Sequence, residues 1–497
     1  MKQPTMNSAF CNTRNRSDLL SPSGMCSLCT ENCTSLCELG LAAVLGAQTV
    51  YPTTTGANQI AGEKPMLIGY GDFNINGRVF GAVGAEPTYE QAEIFNVDLS
   101  VEYGAEHKVK MALPIILPAI VKLNYRDYFS AAAMAGVTCM VGEDAKSKDP
   151  NLKLENGKIT EFPLMQEILS CFSRYDRGFG QIVPQCNVED DMLGVPEMVL
   201  RYGGKALEFK FGQSAKGTQP VNRLPDLDAA LAKQRLGGLV RPDPSDPAVQ
   251  EAYAKGVCPN FYLYGRLPQW DEEFFRRRLS ELRALGLQNV YFKMAGYDPA
   301  DLERVLRIAA ENRVDMVTFD GAGGGSGYSP CKMRNEWGLP PVLLQARLNE
   351  ITARLREEGL TLPAITIAGG FISEDQVFKA LALGDGGVTA VGICRASMAA
   401  AMQGDRIGRA VREGNVPEAL QRYGQTVEAL FADLPDLRAL YGCEANSFPT
   451  GAIGLFSYLN KIAFGLRHFG ALNRKFRVSA FDKSDIIPLT KAAAELL

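Results

Sequence analysis

The sequence predicts an α/β protein built on a closed (β/α)8 barrel of the TIM type. From Met111 onward, eight short apolar runs alternate with amphipathic helical stretches. The runs are apolar at nearly every position, as expected of parallel strands covered on both faces. The last runs end in glycines, where barrels of this kind build anion sites.

The strands are expected at Met111–Ile116, Val137–Val141, Phe179–Val183, Leu207–Phe211, Asn289–Met294, Asp315–Phe319, Ala364–Ala368 and Gly387–Ile393. Helices fit between most of them, at Trp270–Leu285, Asp298–Glu311, Val342–Glu358 and Ser373–Leu383. The last opens with Ser373-Glu-Asp, a cap followed by acids that suit the helix dipole. An open doubly wound sheet is the alternative, but no Gly-x-Gly-x-x-Gly follows the first strand. Two insertions interrupt the repeat. Residues 151–162 read as an Asn-Gly hairpin, and the Pro- and Asp-rich stretch Gly217–Asn260 reads as a long loop after the fourth strand. The chain thus divides into an N-terminal segment (1–110), a barrel (111–404) and a helical C-terminal extension (405–497).

Composition excludes several classes. A net charge of −4 lacks the basic footprint of a nucleic-acid binder. No apolar run reaches membrane-spanning length and the N-terminus has no apolar signal core, so a cytoplasmic protein without a membrane span is expected. Only two histidines are present, which disfavours histidine-based acid–base chemistry.

The N-terminal segment carries Cys26-Ser-Leu-Cys29-Thr-Glu-Asn-Cys33-Thr-Ser-Leu-Cys37. Disulfides are rare in reducing compartments, and thiolates at this density suit a soft metal centre. Cys29, Cys33 and Cys37 share a face if the segment is helical. The spacing does not match the two separated knuckles of a zinc ribbon, so an iron–sulfur cluster, of 4Fe–4S type, is favoured over zinc. Cys11 is a fifth candidate ligand. The seven other cysteines read as core residues.

The barrel's chemistry concentrates at strand ends. Ala364-Ile-Thr-Ile-Ala-Gly369-Gly370 and Val391-Gly392-Ile393-Cys-Arg395 place glycines after the seventh and eighth strands, where backbone N–H groups and a helix N-terminus can hold a phosphate. Arg395 could add a charge-assisted contact. Asp320-Gly-Ala-Gly-Gly324-Gly325-Ser-Gly follows the sixth strand and would admit a flat ligand. Lys210 and Lys293 interrupt apolar strands, with Gln213 and Lys216 just beyond the fourth. A lysine facing a barrel interior must be paired or functional; the alternative is that both point outward and snorkel.

With these segments, residues 111–404 resemble the synthase domain of the glutamate synthase family. The matching stretches are Pro114-Ile…Pro118-Ala119, Gly142-Glu143, Arg177-Gly-Phe-Gly180, Leu207-Glu-Phe-Lys-Phe-Gly-Gln-Ser-Ala-Lys216, Asp320–Pro330 and the two glycine turns. The resemblance implies an FMN barrel that reduces the imine of 2-oxoglutarate and ammonia, with electrons arriving through an iron–sulfur cluster. It implies that Pro118, Ala119, Glu143, Lys293, Asp320, Gly324, Gly325, Gly369, Gly370, Gly392, Ile393 and Arg395 hold the flavin. Lys210, Gln213, Lys216 and Glu143 would face flavin and substrate. Expected partners are a small anionic substrate, an electron-donor protein (ferredoxin or an NAD(P)H-oxidising subunit) and further copies of the chain.

Departures from the family bear on substrate and electron route. The chain begins Met-Lys, without the N-terminal cysteine of a glutaminase domain, so ammonia is expected from outside. The cysteine triplet after the eighth strand is missing, and Cys26–Cys37 would replace it. Gly217-Thr-Gln-Pro-Val-Asn-Arg223 stands where a glycine-rich acidic loop is expected, and the paired histidines near Phe261–Gly265 are absent. The leading expectation is an FMN- and iron–sulfur-dependent oxidoreductase acting on CH–NH2 donors, which makes glutamate from 2-oxoglutarate. The alternatives are a related FMN barrel with another carboxylated substrate, or an electron-transfer subunit of a larger complex.

Overall fold

The computed structural model describes residues 68–120, 124–143, 145–211, 220–258, 260–322, 337–442 and 448–497. Eight parallel strands close into a barrel in chain order: Ile115–Ile120, Thr138–Val141, Ile182–Cys186, Ala206–Lys210, Asn289–Ala295, Met316–Asp320, Ala364–Ala368 and Ala390–Gly392. Val391 and Gly392 pair with Ile115 and Ile116, so the eighth strand meets the first and no edge is left open.

Alternation sorts side chains to the two sides of the wall. Leu207, Phe209 and Phe292 point outward and pack with Phe275, whose ring lies 4.7 Å from that of Phe292. Ala206, Tyr291 and Met316 point inward, with Ile116, Met140, Val183 and Ala390. A hairpin, Val101–Tyr103 and Val109–Met111, plugs the N-terminal end of the barrel with Tyr103, Val109 and Met111. The Tyr103 hydroxyl shares hydrogen bonds with Thr138 at 2.7 Å and Tyr291 at 2.9 Å, so the plug is tied in by polar contacts as well.

Several expected elements differ, among them the eighth strand, which spans Ala390–Gly392 rather than Gly387–Ile393. The run Met111–Ile116 belongs partly to the plug hairpin, and the first barrel strand starts later and passes through Pro118. The third strand starts at Ile182 rather than Phe179, because Gly178 and Gly180 adopt left-handed conformations and form a turn. The stretch expected as a long loop is instead a folded module. Strands Pro220–Leu224, Leu239–Arg241 and Phe261–Tyr264 form an antiparallel sheet, with helices Leu227–Arg235 and Pro247–Ala254 beside it. Its small core holds Leu224, Ala230, Val240 and Phe261. The aspartates that look loop-like are helix caps: Asp226 accepts from the Ala229 N–H at 2.7 Å and Asp246 from that of Ala248 at 2.8 Å.

After the eighth strand, helix Arg395–Arg412 runs beside a long helix, Thr450–Leu472. Glycines bring the two together: a Cβ on Gly404 would lie 2.5 Å from the Thr450 carbonyl oxygen. Strand Ile486–Pro488 then pairs with Phe73–Ile75, fastening the C-terminus to the first described residues. No helix among the described residues is long and apolar enough to cross a membrane.

Candidate active site at the barrel mouth

Above the apolar layer the barrel interior turns polar toward the strands' C-terminal ends. In-register pairing puts Lys210 beside Lys293, Lys293 beside Thr318, and Thr318 beside Thr366. Since Phe209 and Phe292 point outward, both lysines point in, which excludes the snorkelling alternative. Lys210 and Lys293 are 6% and 4% exposed.

Each lysine meets a carboxylate. Lys210 Nζ lies 2.6 Å from Glu143 Oε1, and Lys293 Nζ lies 3.8 Å from Asp320 Oδ2. Burial disfavours the Lys293 charge, but Asp320 and Glu208 outweigh it and hold its pKa above the ordinary lysine value. Glu208, two residues before Lys210 on the same face, accepts a hydrogen bond from the Gln185 amide. Burial pushes the Glu208 carboxyl up, and Lys293, Gln185 and Lys210 offset this only in part. Thr318 Oγ1 and Gln185 Oε1 are buried without hydrogen-bond partners among the described residues. Polar atoms of this kind are expected where a ligand completes the site.

The glycine turns close the other side of the mouth. Gly369 and Gly370 have φ of 131° and 95°, which side-chain-bearing residues rarely adopt. A Cβ on Gly392 would sit 2.8 Å from Ala368 Cβ and 2.9 Å from Pro118 Cγ, so the eighth strand passes its neighbours only as glycine. Helix Arg395–Arg412 starts at once, with Cys394 in the cap position and no side-chain cap. Its first-turn N–H groups and dipole therefore face the mouth side of the barrel. Ile393 serves differently: it is fully buried and its N–H donates to the Ile116 carbonyl at 3.1 Å. Pro118 is buried and Ala119 half-buried at the end of the first strand. The helix after the seventh strand starts as expected at Ser373, but the Ser373 hydroxyl bonds to Asp375 instead of capping the backbone.

The structure thus brings together Glu143, Lys210, Lys293, Asp320, Gly369, Gly370, Gly392 and Arg395 at one end of the barrel. Gln213, Lys216, Gly324, Gly325 and the cysteines 11, 26, 29, 33 and 37 lie outside the described residues. Among the described residues no group of three metal-ligating side chains occurs. Arg177, part of the family resemblance, braces the scaffold by donating to the Met134 carbonyl and the Tyr441 hydroxyl.

Two features of the site escape sequence reasoning. Lys146 and Asp190, on the short helices that follow the second and third strands, form a buried ion pair. Burial pushes the Asp190 carboxyl up to about 6 despite Lys146. The second is a cavity of about 310 Å³ between the mouth and the inserted module, bounded by Glu143, Lys146, Lys210, Leu263 and Trp337 among others.

Residues 271–403 match the family described as the conserved region in glutamate synthase. An archaeal-type glutamate synthase (NADPH) of Thermotoga maritima is 27% identical over 185 residues, covering 36% of this chain and 32% of that protein. An archaeal glutamate synthase (NADPH) of Methanocaldococcus jannaschii is 30% identical over 198 residues, 40% of this chain and 35% of the relative. The match therefore spans about a third of these relatives' length. Among solved structures, the flavin-binding domain of baker's yeast flavocytochrome b2 overlaps with a TM-score of 0.46 at 13% identity, covering 85% of this chain and 78% of that one. Over residues 271–403 the barrel of this chain is similar to the conserved region of the glutamate synthase family.

Proposed function

We propose that the barrel mouth binds FMN and that the protein is an oxidoreductase reducing the imine formed from a 2-oxo acid and ammonia. The observation that carries this reading is the pair of inward lysines, each paired with a buried carboxylate at the mouth of a barrel similar to that of glutamate synthase. The residues fit the cofactor. Gly369, Gly370 and Gly392 leave room for a phosphate beside the Arg395–Arg412 N-terminus, and Thr318 and Gln185 offer unpartnered polar atoms to a polar ring.

FMN, when bound, supplies the hydride equivalent that, with a proton, turns an imine into an amine. Lys293 contributes a fixed positive charge inside a desolvated mouth, where charge is stabilised most strongly. Lys210 donates to Glu143 and fixes its orientation, and Glu143 offers its carboxyl group toward a substrate nitrogen. The inserted module walls off the mouth and limits water.

The finer parts of the reading rest on sequence. The spacing of Cys26, Cys29, Cys33 and Cys37 supports an iron–sulfur cluster, and a ferredoxin or NAD(P)H-oxidising subunit is the proposed electron donor. 2-Oxoglutarate is the acid that the family implies. The test is the visible spectrum of the bound flavin on addition of a 2-oxo acid with ammonia. Reoxidation of the reduced flavin with formation of the amino acid supports the reading, and a flavin inert to every 2-oxo acid contradicts it.

A further inference from the structure

Far from the barrel mouth, the segment 77–98 lies across the C-terminal end of helix Thr450–Leu472 and is fixed there by backbone hydrogen bonds. The Arg78 N–H donates to the Leu472 carbonyl at 2.9 Å, the Val83 N–H to that of Arg474 at 2.8 Å, and the Asp98 N–H to that of Phe476 at 3.0 Å. The 3-10 turn Ile94–Asn96 packs on the same helix, and the Asn96 amide donates to the Glu90 carbonyl at 2.9 Å. This ordered backbone turns large apolar side chains outward: Phe80, Tyr89 and Phe95 are 87%, 98% and 68% exposed. At about 150–250 Å² per ring, these three expose roughly 500 Å², already near the upper end for the largest patch on a monomer. The face continues onto the helix. Leu472 lies against Gly77, and Phe464 stands two turns earlier on the helix, both half exposed. Val79 and Val83 add to it, bringing the apolar area toward the ~800 Å² that each partner contributes to a standard interface.

We propose that a second copy of this chain docks on this face about a two-fold axis, with Phe80 and Phe95 as the anchors. The rim charges choose the occupant. Glu86, Glu90 and Glu93 come from the segment, and Arg467, Arg474 and Arg477 from the helix and the turn after it. None of these six makes an ion pair among the described residues. A rim that carries both signs is complementary to its own copy in an isologous contact. An acidic electron carrier or an anionic lipid surface would instead call for a basic excess. Because the segment is already ordered, covering its rings costs little further conformational entropy. Aromatic side chains at the centre with charges at the border are the usual anatomy of such a contact.

The test is sedimentation equilibrium of the full chain at micromolar concentration, beside three variants whose folding is checked by circular dichroism and thermal melting. The unaltered chain is expected at twice the chain mass or an even multiple of it. Phe80→Asp with Phe95→Asp is expected to raise the dissociation constant at least ~100-fold, as loss of two anchors should. Tyr89→Asp, at a position almost fully exposed, is expected to raise it about tenfold and decides the matter if the double variant does not melt cooperatively. Leu285→Asp, on an exposed residue at the end of helix Glu272–Ala284, is expected to leave the assembly intact. A monomeric full chain overturns the inference, whether its face is bare, covered by residues 1–67 or taken up by anionic lipid vesicles in a flotation assay. An assembly indifferent to the variants on this face, or dissociated as strongly by Leu285→Asp, places the contact elsewhere and overturns it too.

Discussion

Replacing Lys210 by Met removes one half of an ion pair that water barely reaches. Nζ and Glu143 Oε1 are 2.6 Å apart, and the two side chains are only 5% and 8% exposed. The variant fills similar volume but strands the Glu143 carboxylate at the barrel mouth. Breaking a buried pair from one side costs about 3–5 kcal/mol, whereas replacing both partners by apolar groups is often near neutral. The K210M and E143L single variants are therefore each expected to lose about 3 kcal/mol. The double variant should lose at least ~2 kcal/mol less than their sum, the mark of direct coupling. Urea unfolding followed by tryptophan fluorescence and by circular dichroism measures all four proteins, with m-values compared to confirm a common transition. Additive losses, or single losses below ~1 kcal/mol, would show that the groups are separately solvated and would refute the buried-pair argument.

Other expectations follow from the same geometry. Asp190 has a folded pKa of about 6 against an ordinary value of 3.8, so its folded form prefers the proton. Its stability contribution is full below the lower value and is lost as pH rises through the upper one, a span of up to about 3 kcal/mol. Thermal midpoints of Asp190→Asn should lack this part of the pH dependence, and an unchanged profile would contradict the assignment. Gly392→Ala forces a Cβ to within 2.8 Å of Ala368 and should cost about 1–3 kcal/mol with loss of flavin. Gly370→Ala meets no atom within 4 Å, pays only for its φ of 95°, and should cost about 1 kcal/mol. Equal losses in the two variants would undo the packing argument. Lys293→Met should lower the flavin's two-electron reduction potential by at least ~30 mV, equivalent to ~1.4 kcal/mol; an unmoved potential would place Lys293 away from the ring. Cys29→Ser and Cys33→Ser should remove iron while flavin stays bound, and full iron content in both would sink the cluster assignment.

Much of the barrel is legible from local pattern. The fifth and seventh strands are mostly apolar runs, and both start where expected. The glycine turns are readable because backbone conformation is a local property. Lys210 is readable as a buried charge, and period-two alternation also puts Glu208 on its face, a signal present in Leu207-Glu-Phe-Lys. What escapes depends on long-range partners. Nothing in the local sequence of Lys146 names Asp190, 44 positions away. The inserted module reads as a loop because its capping aspartates and Pro247 are also turn residues, and its small core becomes visible only once the three short strands pair. The run Met111–Ile116 misleads because a plug residue and a barrel strand are both apolar and nearly adjacent in sequence.

Whether this mouth holds FMN is decided by identifying the flavin released from the purified chain. FMN is expected at about one per chain, either retained on purification or recovered after reconstitution, with a markedly lower content in Gly392→Ala. A chain that neither carries nor takes up FMN, while melting cooperatively and therefore folded, would contradict it.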